Sequence, residues 1–170
     1  MIDWIWFPKS NNRTQLAAGV IKAFEDAEPS ISSGSKNLKS DQVLLKLAPA
    51  LKELGFRVES GRKKPEKVEV PVLYGRQGKP DKSFCVDAHH ETEGFVVEVE
   101  AGSAVDGGQF LKDFFEACTM DGVSYLCIAV RQIYGKNKSK NFEHVVKYFE
   151  ALYASNRLTL PLKGILVVGY

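Results

Sequence analysis

The residues best suited to chemistry lie in FCVDAHHETEGFVVEVEAG, residues 84–102, where Asp87, Glu98 and Glu100 stand among apolar neighbours. Two runs with the period of a β-strand flank the turn-forming ETEG at 91–94. A hairpin turning there sets Asp87 opposite Glu98, Cys85 opposite Glu100 and His89 opposite Val96. Its other surface, Phe84, Val86 and Ala88 against Ala101, Val99 and Val97, is wholly apolar. Slipping the strands by one residue would put Val86 against Glu98 and spoil that dry surface, so the pattern favours this register. Carboxylates directly opposite one another have Cβ atoms about 4.5–5.5 Å apart. At about 4 Å and an effective dielectric near 20, they repel by roughly 4 kcal/mol. Either the acids face water, as on many antiparallel sheets, or they hold protons, or they share a cation. Hard carboxylate oxygens suit Mg²⁺ or Mn²⁺, which need only a few of them beside water and phosphate.

The surrounding elements must position these groups. Residues 12–27 place Leu16, Val20, Ala23, Phe24 and Ala27 at helical spacing, and a Ser- and Gly-rich loop follows at 28–39. A second helix is expected from Ser40 as N-cap to Gly55, with Val43, Leu44, Leu47, Leu51 and Leu54 on one stripe and a kink at Pro49. Short strands follow at 56–60 and 69–74. A helix around 105–118 is expected to turn Phe110, Leu111, Phe114, Phe115 and Cys118 inward. SYLCIAV, 124–130, reads as a central strand buried on both faces. An amphipathic helix at 141–155 and a final strand, LKGILVVGY, complete an α/β pattern. The step from strand 95–101 through the helix to strand 124–130 is a parallel, right-handed crossover. Trp4, Trp6 and Phe7 are expected to serve the core or an interface.

The 170 residues are expected to form one domain, with an N-terminal helical arm (1–39), a core (40–131) and a C-terminal helix and strand (132–170). The composition, 44% apolar and 26% charged with a net charge of +2, is that of an ordinary globular protein and announces no nucleic-acid binder on its own. Three cysteines without paired spacing argue against a disulfide framework or a zinc site. MIDWIWFPKS is no signal peptide and no run is long enough for a membrane span, so a cytoplasmic location is expected.

The order of elements, with Asp87 on one strand and Glu98-Val99-Glu100 on the next, resembles the PD-(D/E)XK nuclease superfamily over residues 40–131. The resemblance implies a restriction-endonuclease-like αβββαβ core with a mixed central sheet flanked by helices. It departs at Glu100, where the family usually has lysine, and at Val86, where the motif has proline. It implies Mg²⁺ (or Mn²⁺) held by Asp87 and Glu98 with the Val99 carbonyl, and Glu100 binding a second metal or orienting water. Lys112 is the candidate replacement cation, Asp41 the candidate acid from the preceding helix, with Glu53 weaker, and Gln109 a further polar residue on the later helix. As plain residues, Lys112 reads as an exposed helix lysine and Asp41 as complementing a helix dipole.

DNA is the implied partner. Seven Lys/Arg across 61–82 outnumber three acids there. Arg62, Lys63, Lys64 and Lys67 form one basic segment, Arg76, Lys79 and Lys82 a second, and Lys136 and Lys138 fall in a third; a phosphate backbone needs such charge. His89, expected on the face of Asp87, is a further candidate for phosphate. The implied function is a Mg²⁺-dependent, restriction-like DNA endonuclease, with a homodimer cutting both strands. The alternatives are a catalytically inactive module of the same fold binding nucleic acid or protein, and a small α/β scaffold whose acids merely face water.

Overall fold

Three apolar runs form the centre of a six-stranded sheet in a computed structural model that describes residues 1–61, 63–102, 107–133 and 139–170. The strands are β1 (Asp3–Phe7), β2 (Arg57–Val58), β5 (Ala88–His90), β6 (Phe95–Glu100), β7 (Tyr125–Val130) and β8 (Gly164–Gly169), in the order β1-β8-β7-β6-β5-β2. β6, β7 and β8 run parallel, while β1, β5 and β2 each pair antiparallel with a neighbour. Strands this apolar need cover on both faces. Helices α1 (Gln15–Ile31) and α2 (Ser40–Glu53) cover one, packing on Ala88, Phe95, Val97 and Val99. Helices α3 (Gln109–Thr119) and α4 (Asn141–Ser155) cover the other, against Val96, Leu126, Ile128 and Val167.

The expected hairpin register holds where β5 meets β6: Ala88 faces Val97, His89 faces Val96 and His90 faces Phe95. Its turn is locked to the start of β7, because the Gly94 carbonyl accepts the N–H groups of Ser124 and Tyr125 at 2.8 and 3.0 Å. Gly94 itself has φ +60°, and a Cβ there would sit 2.1 Å from the Gly122 carbonyl oxygen.

The hairpin does not continue as one ribbon through residue 84. Chain 80–86 forms β4 (Pro80–Val86), which leaves β6 and pairs with β3 (Val68–Tyr74) in a separate two-stranded sheet. Val86 consequently packs with Val68, Val70 and Val96 on the α3/α4 side, not against Val99. Residues 1–39 are woven into the sheet instead of standing apart as an arm: β1 is its edge strand, and α1 packs into the core beside α2. The N-cap of α2 is Lys39, one residue before the expected serine, and its N–H donates to the Gln42 side-chain oxygen at 2.9 Å. α2 runs on past Pro49. The carbonyl that Pro49 cannot serve belongs to Leu45, which is exposed, so water can satisfy it.

Candidate active site

Asp87 occupies the bend where β4 parts from β6. Parting would orphan the Val99 N–H on that side, and the Asp87 side chain replaces the lost strand: its Oδ2 accepts that N–H at 2.8 Å. Its backbone carbonyl accepts the N–H of Glu59 at 2.8 Å, just past β2. Main-chain partners on β6 and just past β2 thus fix the bend at Asp87.

Along β6, Val96, Glu98 and Glu100 are partners of Leu126, Ile128 and Val130 on β7. Acids therefore fill two of three positions in an otherwise apolar column beneath α3. Glu98 is only 9% exposed. Glu98 therefore does not face water as the scaffold reading expects, while Asp87 and Glu100 are half-buried. From α3, Asp113 enters the same space at 4% exposure; Gln109 donates to its Oδ1 at 3.1 Å, and its Oδ2 has no partner. Burial, chiefly, lifts all four carboxyls. Asp87 is pushed up to about 7, with Glu59 and Asp113 adding repulsion against the relief from the Val99 N–H and Lys67. Glu100 is pushed up to about 8, chiefly by burial, with further lift from the neighbouring Asp113. Asp113 is raised to about 6, and Glu98 well above the ordinary range by burial and by Asp87.

Asp113 and Glu116 lie on the buried side of α3 with Phe110 and Ala117, while Phe115 is exposed. The helix is thus rotated from the expected Phe110–Phe115 stripe, because apolar residues occur on both sides of it. The signal for Asp113 was its place three residues after Phe110 and four before Ala117.

Lys112 Nζ stands 3.2 Å from Glu116 Oε1 and 3.9 Å from Asp113 Oδ1, close enough to act electrostatically on Glu100. Lys67 pairs with Glu59 at 2.6 Å, and its charge is felt at Asp87. Lys67, Glu59, Asp87 and Asp41 line one cleft of about 710 Å³ beside α2. Sequence reasoning missed Glu59, whose place one residue past a two-residue strand carried little signal. Glu53 lines a different groove, between α1 and α2.

His89 is 7% exposed, and the charges acting on it are Arg57, Glu91 and His90, not the carboxylate group. Asp87 sits in the bend and not in the ladder, so the expected Asp87–Glu98 ladder pair beside His89 is not formed. Lys63 and Lys64 begin a short turn leading to Lys67, and Arg76, Lys79 and Lys82 lie on the outer part of the β3–β4 ribbon. Arg62, Lys136 and Lys138 lie outside the described residues.

Among the described residues, no three His, Cys, Asp or Glu side chains form a ready metal cage. Mg²⁺ needs no such cage; one or two carboxylates with waters suffice. Asp87 and Glu98 supply that minimum, and the Asp113 Oδ2 is buried nearby without a hydrogen-bond partner. The donor set fits a hard divalent cation. No helix among the described residues is long and apolar enough to cross a membrane.

No family model matches the chain, and no curated protein matches it. Among solved structures, the restriction endonuclease BglII in complex with a DNA 16-mer is similar, with a TM-score of 0.52 at 12% identity, over 99% of this chain and 75% of that one. At that identity the likeness speaks for architecture: this chain has a restriction-endonuclease-like α/β fold, a mixed six-stranded sheet between two pairs of helices.

Proposed function

We propose that this chain is a Mg²⁺- or Mn²⁺-dependent endonuclease hydrolysing DNA phosphodiester bonds. The observation that carries the reading is the carboxylate group formed by the buried Glu98 and Asp113 with the half-buried Asp87 and Glu100, set against the core of a nuclease-like fold with little positive charge to balance it. The DNA bound by the similar endonuclease supports the choice of substrate. Asp87 and Glu98 would hold the cation, with the Val99 carbonyl as a further oxygen. A cation held there supplies Lewis acidity and an acidified water. The chain's own residues do the rest. The Val99 N–H fixes the Asp87 carboxylate, Gln109 fixes Asp113, and Glu100, beside Asp113, is placed to hold a proton or orient water. Lys112 supplies the positive charge that the residue at position 100 does not. Lys63, Lys64 and Lys67 approach the cleft as backbone contacts.

Glu100, in place of lysine, favours a second reading: a module of the same fold that binds nucleic acid without cutting it. The test is cleavage of supercoiled and linear DNA in Mg²⁺, Mn²⁺ or EDTA by the wild type and Glu98→Ala. Cutting that needs the metal and disappears in the variant supports the enzyme. DNA binding without cutting, together with no calorimetric metal binding, supports the module.

A further inference from the structure

The β3–β4 ribbon is more than a connection. Its foot is built into the protein through the buried Val68, Val70 and Val86, and the residues just beyond its two ends, Lys67 and Asp87, both line the cleft. Beyond that foot, residues 73–82 are exposed without interruption. Leu73 is 58% and Tyr74 51% exposed. Arg76, Lys79 and Lys82 give this outer half a positive charge that only Asp81 opposes.

The ribbon is braced. The Asp121 N–H donates to the Pro71 carbonyl at 2.8 Å, and the Tyr74 hydroxyl donates to Asp121 Oδ2 at 2.8 Å, so the turn before β7 holds it at mid-length. At the tip, the Lys79 N–H donates to the Arg76 carbonyl, and Gln77 and Gly78 both have positive φ, +61° and +69°. That is the hairpin turn whose two central positions ordinarily favour Asn and Gly. Glutamine is a poor choice there for the backbone. What it adds is an amide with both donor and acceptor, held next to an arginine at the outermost point of the ribbon.

We infer that the β3–β4 ribbon enters the major groove of the duplex held at the cleft, and that Arg76 and Gln77 read base edges there while Lys79 and Lys82 hold phosphates. This rests on the DNA endonuclease reading. The major groove, about 12 Å wide, admits a two-stranded ribbon; arginine suits the O6/N7 edge of guanine and glutamine the N6/N7 edge of adenine. From Asp87 back to the turn at Gly78 the chain covers at most roughly 30 Å at about 3.3 Å per residue. The bases read therefore lie within about nine base pairs of the cut, at about 3.4 Å per step.

The test is selection of bound duplexes from a randomised DNA library in Ca²⁺, then anisotropy with the selected and a scrambled duplex across a salt series. Wild type should prefer the selected duplex. Gln77→Gly, which suits the turn better and so keeps the fold, should lose at least about fivefold of that preference, as should Arg76→Ala. Lys79→Ala and Lys82→Ala should weaken both duplexes alike, each reducing the salt slope by about 1. Preference unchanged in Gln77→Gly and Arg76→Ala overturns the inference and leaves the nuclease reading standing. A change of oligomeric state with DNA binding intact makes the ribbon a protein interface and also overturns it. A wild type that neither binds nor cuts duplex DNA overturns the nuclease reading, and the inference with it.

Discussion

Replacing Asp87 by asparagine should make the metal-free protein more stable, and only above mildly acidic pH. The Asp87 carboxyl moves from 3.8 to about 7 on folding, with burial the main cause. Below about pH 4 both folded and unfolded chains hold this proton, and Asp87 is neutral in the balance. Between there and about pH 7 the folded chain binds the proton more tightly, so stability falls as pH rises. Above about pH 7 the whole penalty is present. At about 1.36 kcal/mol per pH unit it amounts to about 4 kcal/mol, an upper figure, since the cleft admits water and the neighbouring carboxyls share the proton. Asparagine keeps an oxygen to accept the Val99 N–H now bonded at 2.8 Å, so the bend survives. Alanine would leave that N–H unserved at a cost of about 1–3 kcal/mol.

The assay is urea unfolding in EDTA at about pH 5 and about pH 8. Burial holds the pKa of His89 down, so that residue alone makes stability fall as pH is lowered. The difference between variant and wild type removes this contribution. That difference should be at most about 1.6 kcal/mol at about pH 5, where only about 1.2 pH units of the penalty have accrued, and should grow by about 1–3 kcal/mol in favour of Asp87→Asn by about pH 8. A variant no more stable than wild type at the higher pH would refute the reasoning, because the carboxylate would then carry no burial penalty.

Millimolar Mg²⁺ should raise the melting temperature of wild type at about pH 8 and leave that of Asp87→Asn unmoved, as scanning calorimetry with and without EDTA would show. Asp113→Asn keeps the Gln109 contact and should likewise stabilise the metal-free protein at about pH 8 while lowering Mg²⁺-dependent cutting at least about tenfold; unchanged cutting would remove Asp113 from the site. Gly94→Ala must displace either the 91–94 turn or the Gly122 carbonyl, so a loss of at least about 2 kcal/mol in urea unfolding is expected.

The register of the carboxylate strands was legible because a period of two leaves no freedom: moving β6 by one residue would turn its valines and acids inside out. The departure of β4 was not legible. Its alternation runs unbroken through Val86 into Ala88, and nothing in that alternation marks the point at which a strand exchanges one neighbour for another. The structure puts the exchange at Asp87, the residue whose side chain can replace a ladder partner. On α3 the failure has another cause. Apolar residues at 110, 111, 114, 115 and 118 span more than one face, so their spacing admits a rotation, and the rotation adopted buries Asp113 and Glu116 while exposing Phe115. The edge strand β1 escaped notice because aromatic residues before Pro8 read equally as core or interface.

The charge balance supports the proposal that these acids form a site and not merely an uncomfortable core. Each nearby lysine already faces a carboxylate outside these four: Lys67 pairs with Glu59, and Lys112 stands nearer Glu116 than Asp113. Asp87, Glu98, Glu100 and Asp113 therefore share fractions of two positive charges. A core under selection for stability alone would fill the column of Val96 with more valine, as β7 and β8 do with Ile128 and Val167. Lysine at position 100 would have removed one negative charge and added one positive. Glutamate leaves a deficit of two more, which protons fill in the metal-free protein up to about neutral pH and which a hard cation can fill by displacing them. The same substitution that departs from the nuclease pattern thus increases the group's demand for a divalent cation, and the contrast between Mg²⁺ and EDTA in wild type and Asp87→Asn measures that demand directly.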